Sequence, residues 1–329
     1  MTVLYVLGGG EREQARRQQE WHRFRRGLVL TVETDTGRVT PVHEYVSPPE
    51  ACPDWRPSIL FKAGALAGDR LYACTQTEVM VCDTGDFTRR AYVSLPCFND
   101  VHHVTPTPRG TLLVVSTGLD LVVEIREDGS VVREWSVVDP PTWERFSRTV
   151  DYRKVATTKP HLSHPNHVFT LGDDVWVTRL VQRDCLCLTD PGRRIDIAVQ
   201  QPHDGVVFEG SVYFTTVDGH VVVADAATGR VTRVVDLRAV FRADRPLGWC
   251  RGIKVLDHDR VLIGFTRLRP TRVMESVSWV KEQANTWLGL GVEPLAMPTR
   301  ICGVDLARGR PFWEVDIEAH GMHAVFSIL

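Results

Sequence analysis

The sequence predicts an all-β fold, a six-bladed β-propeller closed by strands from both termini. Three observations predict it: a unit of four short apolar runs recurs along the chain, Asp/Gly turns separate the runs, and the two ends supply complementary parts of one further unit. Repeats of about 40–50 residues with four antiparallel strands are typical of propeller blades. A chain of 329 residues can bury a large core, and we expect a single domain over residues 1–329.

The repeat is clearest in residues 204–237, which read DGVVFEGSVYFTTVDGHVVVADAATGRVTRVVDL. Alternation of Val, Tyr and Phe with polar residues predicts strands, and the Gly and Asp positions predict the turns between them. The same cadence begins near residues 61, 102, 166 and 251, which makes five blades. The final HAVFSIL reads as an innermost strand, and TVLYVLG, GLVLTVETDTG and RVTPVHEYV read as the other three strands of a sixth, closing blade. Such closure removes free sheet edges.

Three segments interrupt the repeat. Residues 10–26 are rich in Arg, Gln and Glu and predict a helical insertion in the closing blade. Residues 140–165 connect blades two and three, and residues 270–299 interrupt blade five with a helix-like centre, ESVSWVKEQANTWLGL. Loops of this length are usually functional or covering elements, so the last two segments either fold over one mouth of the propeller or decorate its surface. Gly8, Gly9 and Gly10 predict a turn, because they lack the context of a nucleotide-binding motif.

Charge and hydropathy exclude several classes of protein. The chain has 39 basic and 41 acidic residues, which argues against a nucleic-acid-binding surface. No apolar run approaches about 18 residues, and the amino-terminal MTVLYVLGGGERE lacks the basic start of a signal peptide, so we expect neither a membrane partner nor export. Eight cysteines without a secretory signal indicate reduced thiols and a cytoplasmic protein. The oligomeric state stays open.

Histidines recur where the first strand begins in four of the six predicted blades, and six of the 12 histidines fall there. These strand starts surround the channel of a propeller, so their imidazoles are expected to converge and to stay neutral, as metal ligands must. The predicted metal ligands are His102, His167, His203 and His323, with His103 and His164 as second choices, because spacing leaves open which of His102 and His103 faces the axis. Other residues predicted near the channel are Asp100 and Asn166, which would orient imidazoles, the catalytic candidates Asp204 and Arg251, and Lys62 in blade one.

This pattern predicts a metal-dependent enzyme that acts on a small molecule. Several imidazoles with an open coordination position suit a divalent transition metal, with Fe(II) favoured and Cu or Zn as alternatives. The expected reaction is that of an oxidoreductase, an oxygenase or a lyase of specialised metabolism. Arg251 is expected to bind a carboxylate or another anionic group of the substrate.

Two alternatives compete with the metalloenzyme. The run NDVHHVTPTPRGTLLVVSTGLDLVVEIREDGSVVREW resembles the arylsulfotransferase propellers over one or two blades, and this likeness implies metal-independent group transfer by channel histidines and Arg251. A non-enzymatic interaction scaffold is the other alternative, in which the channel histidines would be dispensable. The phrase GWCRGIKVLDHDRVLIGFTRLRPTR is similar to bacterial propellers of unassigned function, which supports the fold without implying an activity.

Overall fold

The computed structural model describes residues 2–13, 18–243, 246–268 and 297–329. It contains six four-stranded antiparallel sheets arranged as propeller blades, which confirms the predicted fold. Blade one holds β4 (Ala65–Ala67), β5 (Arg70–Cys74), β6 (Val79–Asp83) and β7 (Arg89–Val93). Blade two holds β8 (Val101–Pro106), β9 (Leu112–Ser116), β10 (Leu121–Ile125) and β11 (Val131–Ser136). Blade three holds β12 (Pro165–Leu171), β13 (Asp174–Arg179), β14 (Asp184–Cys187) and β15 (Arg194–Asp196).

The remaining blades complete the ring. Blade four holds β16 (Pro202–Phe208), β17 (Ser211–Thr216), β18 (His220–Asp225) and β19 (Val231–Asp236). Blade five holds β20 (Trp249–Val255), β21 (Arg260–Thr266), β22 (Arg300–Asp305) and β23 (Arg310–Asp316). The closing blade holds β24 (Ala324–Ile328), β1 (Val3–Glu11), β2 (Phe24–Glu33) and β3 (Val39–Tyr45), in that order. Its innermost strand comes from the carboxyl end and the other three from the amino end, as predicted.

The three consecutive glycines lie inside β1, so the turn predicted at Gly8, Gly9 and Gly10 is wrong. A Cβ on Gly8 would sit 1.9 Å from the carbonyl oxygen of Ala324, and one on Gly9 would sit 2.5 Å from Leu60 Cβ. Both contacts are too close for any side chain. The glycines therefore allow β1 to approach β24 and the segment before blade one, where the ring closes.

Buried apolar clusters fill the seams between neighbouring blades. Each of the six seams has its own cluster, and in the seam between blades two and three Leu113 and Val115 pack with Val168 and Val177. β9 and β10 are buried along their whole length, whereas no residue of the outer β11 is buried. Full burial of one such side chain contributes about 1.5–3 kcal/mol. Each blade is therefore stabilised by its two neighbours, and the ring fixes where its inner strands begin.

Helices are short in the described residues: α1 (Glu20–Arg23), α2 (Thr142–Arg145) and α3 (Leu237–Phe241). Single 3₁₀ turns occur at Pro49–Ala51, Thr117–Leu119, Tyr152–Lys154 and Glu318–His320. Of the predicted helical insertion at residues 10–26, residues 14–17 lie outside the described residues, and the described part contains the four-residue α1 between a strand that ends at Glu11 and one that begins at Phe24. Of the predicted insertion at 270–299, only residues 297–299 are described, so its helix-like centre lies outside the described residues. None of the described helices has the length and apolar character needed to cross a membrane.

Candidate functional site

The inner strands of four blades share an irregularity at the point where they reach the channel. Pairing with the second strand shifts register between Val101 and His103 in blade two and between Pro165 and His167 in blade three. It shifts again in blades four and five, across Asp204 and Gly205 and across Arg251 and Gly252. Bulges of this kind bend a strand and re-aim its side chains. They lie at the positions where the sequence places its unusual residues.

A cavity of about 190 Å³ lies at this mouth of the channel. Its polar lining comes from α1, from blades two, four and five and from the segments that connect the blades, and comprises Glu20, Asp100, His102, Lys159, His164, Gln201, His203 and Arg251. Five of the residues predicted for the site are therefore brought together. The 140–165 connection reaches the mouth, as one of its two interpretations predicted. The apolar lining of the cavity is formed by Leu180, Val217 and Trp249.

Asp100, His161 and His164 form a group whose potential ligand atoms all lie within 4.8 Å of one another. The Nδ1 atoms of the two imidazoles are 2.9 Å apart, and the rings stack with centroids 5.1 Å apart. Nitrogens that each lie about 2.0–2.1 Å from one ion, roughly at right angles, are about 2.9 Å from each other. The group therefore fits a metal ion. His164 was a second-choice ligand and Asp100 a predicted supporting residue, whereas the sequence reasoning missed His161, although its three-residue spacing from His164 was visible.

The loop that carries the two imidazoles is held by the buried carboxylate of Asp120. The backbone N–H groups of Leu162 and Ser163 each donate to it at 3.0 Å, and that of His164 donates at 2.9 Å. Arg145 balances the charge through a 3.0 Å contact from its Nη1. Three successive N–H groups on one buried carboxylate leave this turn little freedom. Asp120, which no sequence pattern singled out, thus sets the position of the candidate metal ligands.

Asp100 joins the metal-capable group to the axial residues. Its Oδ1 lies 3.2 Å from Nζ of the buried Lys62 and 3.6 Å from Nδ1 of His102. Burial alone would raise the pKa of the Asp100 carboxyl, but Lys62 together with His102, Lys159 and His161 outweighs burial and holds that pKa below its usual range. The carboxylate is therefore ionised, as a metal ligand must be.

His102 faces the cavity between the metal-capable group and His203. Its Nδ1 lies 2.8 Å from the backbone oxygen of Asp100, which favours the tautomer with the proton on Nδ1 and the lone pair on Nε2. Its ring centroid is 4.9 Å from that of His164 and 6.2 Å from that of His203. Burial lowers the pKa of all three imidazoles below the ordinary histidine value. They are neutral near pH 7 and can accept a proton or bind a metal.

His203 and Asp204 form the blade-four side of the site. His203 is only 3% exposed, and neither ring nitrogen has a hydrogen-bond partner among the described residues, although Nδ1 lies 3.5 Å from Asp204 Oδ1. The other carboxylate oxygen of Asp204 accepts from the hydroxyl of Thr215 at 2.5 Å and from the backbone N–H of Gly252 at 2.9 Å. Asp204 is not among the residues that line the cavity. It lies behind His203 and ties blade four to blade five.

The structure does not bring the other predicted imidazoles to the cavity. His103 and His167 stack on each other across the seam between blades two and three, with centroids 3.7 Å apart and planes 17° apart. His103 Nδ1 accepts from the backbone N–H of Val168 at 3.2 Å, so His102 is the member of its pair that faces the cavity. His323 Nδ1 accepts from the backbone N–H of Glu11 at 3.2 Å.

Asn166 also lies away from the cavity. Its amide nitrogen donates to the backbone oxygen of Pro202 at 2.9 Å, which links the inner strands of blades three and four. No contact between its side chain and an imidazole is seen in the part of the chain that the structure describes. The predicted supporting role at a metal therefore has no geometric counterpart at this position, and Asn166 holds two blades together.

Comparison with known proteins informs the fold only. No protein-family model and no curated protein matches the chain. A protein of unknown function from Bacteroides caccae is similar over 99% of this chain and 98% of its own, with a TM-score of 0.61 and 13% sequence identity. A chain in the crystal structure of a mitotic checkpoint complex is similar over 73% of this chain and 66% of its own, with a TM-score of 0.46 and 10% identity. The Bacteroides protein accords with the expected likeness to bacterial propellers of unassigned function.

Proposed function

We propose that this protein is a metal-dependent enzyme that acts on a small molecule in the axial cavity. The observation that carries the proposal is the convergence of Asp100, His161 and His164, two of which line that cavity. A site with three protein ligands keeps positions open for substrate, which distinguishes catalytic from structural metal sites. Two histidines and one carboxylate form the ligand set of non-haem Fe(II) oxygenases and also suit Zn²⁺. Iron is the favoured metal, and oxidoreductase, oxygenase or lyase chemistry the favoured class.

The metal, when bound, would supply Lewis acidity and, as iron, one-electron redox chemistry. The chain's own residues would do the remaining work. His102 would accept or return a proton on Nε2, because its Nδ1 is tied to the backbone of Asp100. Arg251, which also lines the cavity, would hold an anionic group of the substrate.

Metal analysis tests the proposal. Protein stripped with a chelator and titrated anaerobically with Fe(II), Zn(II) and Cu(II) should bind about one ion per chain. His164→Ala removes a ligand and should weaken binding by at least about 100-fold. His220→Ala, on the outer side of blade four, is the matched control and should bind like the parent protein. Nitric oxide added to the Fe(II) form should give the electron paramagnetic resonance signal of an iron site with an open position. Binding that is absent, or that is indifferent to His164→Ala, would overturn the proposal.

Metal-independent sulfate transfer is the second candidate, because His203 lies in the same cavity as Arg251 with neither ring nitrogen hydrogen-bonded among the described residues. In this reaction the S–O bond of an aryl sulfate breaks, a ring nitrogen of His203 bonds to sulfur, and the phenol oxygen takes up a proton. Metal-free protein incubated with an aryl sulfate would then gain the mass of one sulfuryl group, and His203→Gln would not. The metalloenzyme proposal expects no such adduct.

We also propose a cytoplasmic location. All eight cysteines are free thiols, and none forms a disulfide. Free thiols persist in reducing compartments, whereas exported proteins usually pair their cysteines. Fractionation of the cells that express the protein tests this proposal directly.

A further inference from the structure

The cavity is lined by two chemically different sets of residues. One set holds Asp100 and His164 of the candidate metal group, with the carboxylate of Glu20 also in the lining, and the other combines Arg251 and His203 with the apolar Leu180, Val217 and Trp249. Val217 is 4% exposed, and the guanidinium of Arg251 lies 5.8 Å from the ring of Trp249. A molecule that fills the cavity must therefore offer an apolar body together with a polar group. A sugar or a polyol, polar on every side, would leave the apolar wall poorly matched.

Arg251 is held rigidly at one end of this space. It is 6% exposed, and its guanidinium lies 4.0 Å from the ring centroid of the buried Phe326. Nζ of Lys62 lies 4.6 Å from the same centroid, so two buried cations share one aromatic ring. Stacking on an aromatic face pre-organises a guanidinium, and its planar fork matches a carboxylate. A metal ion at the Asp100, His161 and His164 group would offset the lining carboxylates of Asp100 and Glu20 and add to the positive charge of Arg251 and Lys159, which favours an anionic ligand in the cavity.

His203 provides a second polar contact beside Arg251. Among the described residues neither ring nitrogen of the buried His203 has a hydrogen-bond partner, which is costly, and a ligand oxygen in the cavity would remove that cost. In the tautomer that carries its proton on the nitrogen facing the ligand, His203 would donate to a carboxylate oxygen. Two donors that converge from different blades, Arg251 and His203, fit the two oxygens of one carboxylate.

Size narrows the ligand further. A cavity of about 150 Å³ holds one benzene molecule in an engineered protein. The cavity here, at about 190 Å³, therefore has room for a ring or branched chain of that size together with one carboxylate.

We propose that the substrate is a small apolar monocarboxylate, an aromatic or branched-chain acid of about ten non-hydrogen atoms. Its carboxylate binds Arg251 and His203, its apolar body packs against Trp249, Val217 and Leu180, and its far end points towards His102 and the metal-capable group. The orientation for reaction depends on the proposed function, whereas binding of the carboxylate does not. The two proposals can therefore fail separately.

Isothermal titration calorimetry with benzoate, and with benzamide as its neutral isostere, tests this inference in metal-free protein. We expect benzoate to bind at least about 10-fold more tightly than benzamide, because only benzoate offers a charge-assisted contact. Arg251→Met should weaken benzoate binding by about 10–100-fold. Val217→Trp, which fills the apolar side, should abolish binding of both probes. Arg260→Met removes an exposed arginine of β21, which pairs with Asp257, and is the matched control with unchanged affinity.

The titrations can contradict the ligand inference and the proposed function separately. Equal affinity for benzoate and benzamide, or unchanged benzoate affinity in Arg251→Met, would overturn the inference. Tighter binding of inorganic sulfate than of benzoate would contradict the inference that the ligand has an apolar part. If Arg251→Met fails to fold by circular dichroism, Arg251→Lys and His203→Gln take its place, each with an expected loss of about 10-fold. Benzoate binding by a protein that takes up no metal would leave this inference standing and the proposed function rejected. Metal binding without benzoate binding would leave the proposed function standing and reject this inference.

Discussion

Two pairs of histidines stack ring on ring near the inner strands of blades two and three, and they differ in the positions of their ring nitrogens. His161 and His164 sit on a connecting loop with their Nδ1 atoms 2.9 Å apart and the carboxylate of Asp100 beside them. His103 and His167 sit in inner strands, stack face to face with centroids 3.7 Å apart, and belong to no metal-capable group among the described residues. Both pairs stack, but the two Nδ1 atoms of the loop pair approach each other, whereas Nδ1 of His103 accepts a hydrogen bond from the backbone N–H of Val168. Closeness of imidazoles therefore does not make a metal site; convergence of their nitrogens with a carboxylate does.

The strongest test of this contrast replaces each pair in turn. His161→Ala/His164→Ala should lower metal affinity by at least about 1,000-fold, because two of three protein ligands are lost. His103→Phe/His167→Phe keeps aromatic packing in the seam and should retain about one ion per chain. Metal content of the two purified variants, measured beside the parent protein, gives the comparison. Loss of metal from the seam variant and not from the loop variant would reverse our assignment.

The seam pair should instead be visible in the pH dependence of stability. Burial lowers the pKa of His103 to about 4 from an ordinary value of 6.5. Below about pH 6.5 the unfolded chain binds a proton at this residue that the folded chain does not, so stability is present at neutral pH and falls as the solution is acidified. A difference of 6.5 − 4, or about 2.5 pKa units, corresponds to a loss on the order of 3 kcal/mol by pH 4.

Urea unfolding of metal-free protein between pH 4 and pH 7 measures this effect. His103→Phe should flatten the slope of the unfolding free energy against pH, since the substituted ring binds no proton in either state. His167 contributes in the same direction, because burial also lowers its pKa. An unchanged slope in the single variant would mean that His103 is not held neutral in the folded protein.

Asp120 holds the loop that carries His161 and His164, and its substitution should lower metal affinity less than loss of the two histidines. Asp120→Asn retains the shape of the side chain but weakens its contacts to the N–H groups of Leu162, Ser163 and His164. Loss of such support typically costs about 10–100-fold in metal affinity. Substituting Co(II) and recording its visible spectrum separates positioning from general instability, because the spectrum reports ligand geometry directly. Arg145→Gln, which removes the partner charge and leaves the carboxylate in place, is the control, and a normal spectrum in Asp120→Asn would contradict the positioning role.

The fold was predictable because its signals are local. Alternating apolar runs and Asp/Gly turns predict each strand, and the complementary ends predict the closing blade. The faces of inner-strand residues were not predictable, because a bulge changes which side chain points to the axis, and His102 rather than His103 lines the cavity. His161 escaped prediction because its loop is shaped by Asp120, which is about 40 residues away along the chain. His323 is diverted by a hydrogen bond from Glu11, which comes from the opposite end of the chain.

His220 lies outside the channel, and its contribution to the pH dependence of stability has the opposite sign to that of His103. It is also the smallest effect that we predict. His220 Nδ1 lies 3.1 Å from Asp218 Oδ1, and this contact outweighs burial and raises the pKa of His220 above 6.5. The folded state therefore holds the proton more tightly than the unfolded state, so the pair stabilises the protein below about pH 6.5 and loses that contribution as the pH rises through the folded-state pKa. Because the imidazole is partly exposed, solvent screening limits the gain in unfolding free energy to about 0.2–1 kcal/mol.

His220→Ala should accordingly lower the unfolding free energy at pH 5.5 by no more than that amount and leave it unchanged at pH 9. His103→Phe should instead reduce the loss of unfolding free energy at acidic pH. If urea unfolding showed that both substitutions change the unfolding free energy at acidic pH in the same direction, the difference between the two imidazoles would not come from burial in one and pairing with a carboxylate in the other.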